Sequence, residues 1–102
     1  MDVSFVIPTL YAEAQLPACL ASVRRQAFDS ARIEILVPDG GSRDRTVEIA
    51  RSFEAVVLDA QGELAEAAKR RAMERARGRY IALLDADNEI VGETWLARAV
   101  AA

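Results

Sequence analysis

Two rhythms of apolar residues alternate along this chain. Short, mostly apolar runs at Val3–Ile7, Ile33–Val37, Ala55–Leu58 and Tyr80–Leu84 read as strands. Between them, apolar residues recur at helical spacing. Leu16, Leu20, Val23 and Ala27 make one stripe, Thr46, Ile49, Ala50 and Phe53 a second, and Leu64, Ala68, Ala72 and Ala76 a third. Thr94–Val100 predicts the start of a fourth helix. The punctuation agrees with this division. Pro8 and Pro38 follow the first two runs, and Pro17 suits a first helical turn. Ser42 or Asp44 is the expected N-cap of the second helix, and Gly78 is placed to end the third at its C′ position. The five apolar residues from Tyr80 to Leu84 predict a strand covered on both faces. A β-α-β-α-β-α-β order implies an α/β fold: a Rossmann-like three-layer α/β/α sandwich with a mainly parallel sheet, one domain over residues 1–102.

Composition narrows the function classes. With 102 residues, 52% hydrophobic and 28% charged, the chain has globular composition. A net charge of −3 argues against a general nucleic-acid binder. The absence of histidine removes Ser-His-Asp and Cys-His catalysis and His-ligated zinc. Cys19 is the only cysteine, so no internal disulfide forms, which fits a reducing cytoplasmic setting. On its helix Cys19 reads as a core residue. No apolar stretch reaches the roughly 18–20 residues that span a bilayer.

In open α/β sheets, ligands bind outside the carboxyl ends of the strands. The short polar motifs of this chain sit at those ends: Pro8-Thr9, Asp39-Gly40-Gly41-Ser42, Asp59 and Asp85-Ala86-Asp87. Asp85 and Asp87, two residues apart on an extended segment, point the same way and could share one hard cation, Mg²⁺ or Mn²⁺, that bridges to phosphate. A turn carrying solvated aspartates is the alternative. Asp39 could accept hydrogen bonds from a nucleobase while Gly40 and Gly41 let the backbone approach a ligand; an ordinary strand-to-helix turn explains the same residues. Thr9 either offers a hydroxyl to a ligand or merely ends a strand. The segment matches neither G-x-G-x-x-G nor the Walker pattern. Lys69, Arg70, Arg71, Arg75, Arg77 and Arg79 form a basic run that reads as a solvated helix face with local pairs such as Glu66–Arg70. It could also reach a pyrophosphate or an anionic membrane surface.

Four motifs follow one another: Val3-Ser4-Phe5-Val6-Ile7-Pro8-Thr9; its continuation through Glu13, Leu16-Pro17, Cys19-Leu20-Ala21-Ser22-Val23 and Gln26; the run from Ile35 to Thr46; and the run from Ala76 to Asp87. Together they resemble glycosyltransferases of family 2, inverting enzymes with the GT-A fold. The first two look like the family's opening, the third is similar to its "V-D-G-G-S-x-D-x-T" segment, and the fourth to its "A-x-G-x-Y-I-x-x-L-D-A-D" segment. The resemblance covers nearly the whole chain and implies roles. Pro8, Thr9, Asp39 and Gly40 would hold the nucleotide base. Lys69 stands where an arginine often contacts the nucleotide. Asp85, with Ala86, would meet the ribose or the metal shell, and Asp87 would ligate Mg²⁺ or Mn²⁺ on the diphosphate. The implied donor is a UDP-sugar, with a GDP-sugar as the alternative and the acceptor unnamed. Pro38, Arg70 and Ala72 depart from the family's usual aspartate, asparagine and glycine.

The family's acceptor-binding half and general base lie beyond its D-x-D segment. The expectation is therefore a truncated GT-A unit with no catalytic base of its own, inactive alone, and either completed by a missing C-terminal half or self-associating. It is expected in the cytoplasm, at most peripheral to the inner face of the membrane. The competing reading is a non-catalytic nucleotide-binding or interaction module of the same ancestry. A haloacid-dehalogenase-type phosphatase or a phospho-receiver domain is disfavoured, because Ile7 is followed by Pro8-Thr9 rather than by an aspartate.

Overall fold

A computed structural model describes residues 1–102. Four strands, β1 (Val3–Val6), β2 (Ile33–Asp39), β3 (Val56–Asp59) and β4 (Tyr80–Leu83), form one all-parallel sheet in the order β3-β2-β1-β4. The helices are α1 (Leu16–Arg24), α2 (Thr46–Ser52), α3 (Ala65–Arg75) and α4 (Trp95–Ala101), with a 3-10 turn at Ser30–Arg32. Parallel strands require crossovers, and helices supply them. The expected three-layer architecture is the one observed.

Alternation along the strands divides the core. Val3, Phe5, Ile7, Ile33, Ile35 and Val37 face one way and pack against Leu16, Cys19, Leu20 and Val23 of α1, Ala50 of α2 and Leu96 of α4. Val6, Leu36 and Leu58 face the other way, where Ala72 of α3 covers them. That second face is thin, and α3 lies close to it because Ala68 and Ala72 are small. Polar residues on the same face are tied together. Ser4 Oγ donates to Glu34 Oε2 at 2.5 Å, and the Arg77 backbone N–H and guanidinium donate to the same carboxylate. Burial pushes the Glu34 pKa up, but the Ser4 and Arg77 bonds outweigh it and leave the carboxyl below its usual range.

Several sequence expectations need correction. Strand β2 does not stop at its proline: Pro38 lies within it, and having no N–H it joins the ladder through its carbonyl, which accepts from Thr9 N at 3.0 Å. Pairing on the β1 side also continues past Pro8, through a bridge between Thr9 and Asp39. Ala27 lies beyond α1, and Leu64 is 81% exposed at the N-cap of α3 rather than on its apolar face. Gly78 is not a left-handed helix cap. It is needed because a Cβ there would come within 2.5 Å of Ser4 N and 2.7 Å of Val3 C. The largest departure is β4. Tyr80, Ile81 and Leu83 are exposed, because β4 is an edge strand that α3 does not reach. A run of apolar residues reports burial only when neighbours exist on both sides.

Candidate functional site

The loop after β2 is built around one carboxylate. Asp39 is 4% exposed, yet it carries four hydrogen bonds. Its Oδ1 accepts from Thr9 Oγ1 at 2.7 Å and Ser42 Oγ at 2.6 Å, and its Oδ2 accepts from Gly41 N at 3.1 Å and Ser42 N at 2.8 Å. Burial raises the Asp39 pKa, but the bonds from Ser42, Thr9 and Gly41 more than offset it, so the group stays ionised. Gly41 has φ +105°, which an L side chain adopts only under strain. Ser42 also accepts from Tyr11 N at 2.8 Å, and Thr46 Oγ1 accepts from Ala12 N at 2.9 Å. These bonds fasten the loop after β1 to the loop after β2. Neither Ser42 nor Asp44 is the N-cap of α2: Arg45 holds that position without a side-chain cap, and Asp44, one residue earlier, accepts at Oδ1 from Thr46 N and Oγ1.

Beside this pair of loops a cleft of about 320 Å³ opens on the carboxyl end of the sheet. Pro8, Thr9, Leu10 and Gly40 line it together with Glu63 and with Ala65, the first residue of α3. Lys69 follows Ala65 by one helical turn and pairs with Glu66 at 3.1 Å. Arg71, grouped by sequence with its helical neighbours, instead reaches back eight residues. Its Nη2 and Nε donate to Glu63 at 2.7 and 3.3 Å, and Nη2 also donates to the Asp59 carbonyl at 2.5 Å. No helical spacing rule anticipates that pairing, so sequence reasoning missed Glu63.

Asp85, Ala86 and Asp87 lie at the same rim, at the end of β4. None of the three lines the cleft, although β4 pairs directly with β1, whose following loop carries Pro8, Thr9 and Leu10. The strand has ended before Asp85, and Ala86-Asp87 form a turn, so the two carboxylates are presented by a loop rather than by the alternation of an extended strand. Both are exposed, contrary to the partly buried crevice expected for them. Beneath them the Cys19 thiol donates to the Asp85 carbonyl at 3.6 Å. Burial, with the nearby charges of Asp87, Glu89 and Asp85, pushes that thiol up to about 11. No three His, Cys, Asp or Glu side chains converge in a metal-holding group. The donor chemistry nevertheless fits Mg²⁺ or Mn²⁺, since such ions commonly take one or two carboxylates and complete their shell with water and substrate phosphate. The largest cavity, 460 Å³, opens at the opposite, amino end of the sheet near Arg24, Glu34 and Arg77. Glu34 there is committed to Ser4 and Arg77, and the loops carrying the candidate motifs are at the other end.

The model of the family described as "Glycosyl transferase family 2" matches residues 4–102. The chain belongs to glycosyltransferase family 2. It is 32% identical over 104 residues to the glycosyltransferase AglE of Haloferax volcanii, an alignment covering 96% of this chain and 34% of AglE. TarS of S. aureus, solved in complex with UDP, superposes with a TM-score of 0.88 at 24% identity, over 99% of this chain and 31% of that one. The mannosyltransferase PcManGT of Pyrobaculum calidifontis, solved with GDP-Man and Mn²⁺, gives a TM-score of 0.84 at 23% identity, over 97% of this chain and 31% of that one. The family 2 chain thus has the GT-A fold and spans about a third of the length of these relatives. No helix in it is long and apolar enough to cross a membrane.

Proposed function

We propose that this chain is the donor side of a family 2 glycosyl transfer, binding a nucleoside-diphosphate sugar across the carboxyl ends of β2, β1 and β4. The observation that carries the reading is the shared rim. A cleft lined by Thr9 and Gly40 opens at one end of it, and two exposed carboxylates, Asp85 and Asp87, stand at the other. Neighbouring strands are about 4.8 Å apart, so β2 and β4 are separated by roughly 10 Å, a span suited to a nucleoside diphosphate laid across the sheet.

In this reading the base end enters the cleft beside Pro8, Thr9 and Gly40. Asp39 acts through the loop, holding Thr9 and the Gly41 and Ser42 amides in place. Lys69 offers a cation further along α3. Asp85 and Asp87 are the ligands for Mg²⁺ or Mn²⁺, with the Asp85-Ala86 backbone near the ribose. A divalent cation bound there supplies neutralisation of the charge that gathers on the leaving diphosphate. In the inverting transfer, the acceptor oxygen bonds to the anomeric carbon as the bond to the diphosphate oxygen breaks. The proton of the acceptor passes to a general base, which we assign, with the acceptor site, to the remainder of a protein of the relatives' length.

Support also comes from the ligands of the structural neighbours, UDP in TarS and GDP-Man with Mn²⁺ in PcManGT. The test is calorimetric titration of the chain with UDP and GDP, with and without Mn²⁺, repeated on Asp87→Ala. Mn²⁺-dependent binding that the substitution abolishes is the expected result. Equal affinity with and without the metal, or full binding by Asp87→Ala, would remove the metal assignment. No binding to folded protein would remove the donor reading.

A further inference from the structure

We infer that two copies of this chain pair along the outer edge of β4, antiparallel about a two-fold axis at Ala82, so that the sheet of one copy continues into the other. The inference does not depend on the donor reading. β4 pairs with β1 on one side only. Tyr80 N donates to the Asp2 carbonyl and Leu84 N to the Val6 carbonyl, so alternation along the strand turns the N–H and C=O groups of Ile81 and Leu83 outward. Natural sheets blunt such edges with lysine, proline or a bulge. Tyr80-Ile81-Ala82-Leu83-Leu84 carries none of these, and Tyr80, Ile81 and Leu83 are exposed. The opposite edge of the sheet is guarded. Glu54 precedes β3 and Asp59 ends it, so self-pairing there would bring like charges together.

The charges flanking β4 specify a second copy of the same strand as its occupant. Arg79 stands just before β4 and Asp85 just beyond it, and neither forms an ion pair within the chain. Arg79 instead lies against the Tyr80 ring, 5.6 Å from its centroid. Centring the two-fold on Ala82 sets Arg79 of each copy opposite Asp85 of the other, an attractive cross-strand pair made twice. The same register sets Ile81 opposite Leu83. Both present outward-facing backbone groups, so each such pair exchanges two hydrogen bonds. Ala82 then meets Ala82 as a non-hydrogen-bonded pair, the closer kind, which its small side chain suits. Ile81 and Leu83 lie beside Ser4 and Val6 in the ladder and share their face, where α3 does not reach. Two such residues from each copy form one apolar strip across the junction.

One strand pair buries less than the roughly 1,200 Å² of stable complexes, so the expected Kd is about 0.01–1 mM. Sedimentation equilibrium across that range should show the average mass rising from that of one chain toward that of two. Divalent cations are left out, since one bound at Asp85 would compete with Arg79. Amide exchange should slow at Ile81 and Leu83 as concentration rises, while Tyr80 and Leu84, already bonded to β1, change least. Each substitution acts twice in a two-fold interface, so Leu83→Lys and, separately, Arg79→Asp should weaken association by about fivefold or more. Arg79→Asp combined with Asp85→Arg should restore it. Circular dichroism of dilute, monomeric samples checks that each variant is folded. A wild-type chain that stays monomeric at about 1 mM overturns the proposal. So does a dimer whose affinity is unchanged in folded Leu83→Lys and Arg79→Asp, or one that protects amides other than those of Ile81 and Leu83. Weakening by Arg79→Asp that the double substitution fails to restore overturns the register centred on Ala82.

Discussion

Removing the Asp39 carboxylate tests whether the two rim loops are held by that one side chain. In Asp39→Ala, the Thr9 hydroxyl, the Ser42 hydroxyl and the Gly41 and Ser42 amides all lose their acceptor. A bond to a charged acceptor contributes about 1.5–3 kcal/mol, so four set an upper limit near 12 kcal/mol. Two effects reduce it. Gly41 and Ser42 are only half-buried, so their amides recover water. The variant also no longer has to bury a carboxylate that is 4% exposed. What persists is the stranding of Thr9, 7% exposed, and the slackening of a loop fastened to Tyr11 and Ala12. The net loss should be about 3 kcal/mol, in the range for breaking a buried charged network. With an m-value of roughly 1–3 kcal/mol/M in urea, the midpoint of unfolding should fall by about 1–3 M. Asp39→Asn keeps two acceptor sites, and both hydroxyls can turn to accept from its amide, so it should lose about half as much. Urea unfolding followed by circular dichroism, fitted with a common m-value, measures both. A midpoint for Asp39→Ala that gives less than about 0.5 kcal/mol of destabilisation would refute the claim that this carboxylate organises the rim.

Other outcomes follow from the same structure. Glu34 and Asp39 hold folded-state pKa values below their ordinary 4.5 and 3.8, so the stability they give is complete above about pH 5 and is lost as the pH falls through the depressed values; urea midpoints from pH 7 to 3 should drop, and less so in Asp39→Ala. Gly78→Ala should cost about 1–3 kcal/mol or more, read as a fall in thermal midpoint, because the new methyl meets backbone atoms of Val3 and Ser4 that cannot give way cheaply. Leu83→Lys should change stability by less than about 0.5 kcal/mol, since that side chain is 52% exposed, whereas Leu36→Ala should cost about 2–5 kcal/mol. A large loss at Leu83 would mean that β4 is covered on both faces after all.

The element order was legible because β-branched runs and helical stripes carry their own periods, and each apolar stripe found a face of the sheet. What failed to read through was whatever depended on a partner distant in sequence. Leu83 and Leu36 look alike in the chain, but one lies at an edge and the other at the centre. Gly78 signalled a special backbone position, yet the reason is the proximity of Ser4, 74 residues away, and not a helix cap. At the rim, the polar motifs were found because strand ends in an open α/β sheet are where ligands bind. The internal bonding of Asp39 and the Arg71–Glu63 pair were invisible, since one-dimensional spacing says nothing about which lone pairs are already in use.

In the proposed function, a nucleotide lies across this rim from the cleft to the β4 aspartates. Paramagnetic broadening of amide signals by Mn²⁺, recorded on the isotopically labelled chain with and without UDP, tests it most directly. Broadening should centre on Asp85–Asn88 and deepen with UDP, with diamagnetic UDP–Mg²⁺ shifting Thr9, Leu10, Gly40 and Glu63. Broadening centred at the amino end of the sheet, around Glu34 and Arg77, or nucleotide shifts that leave the Thr9–Gly40 cleft untouched, would contradict it.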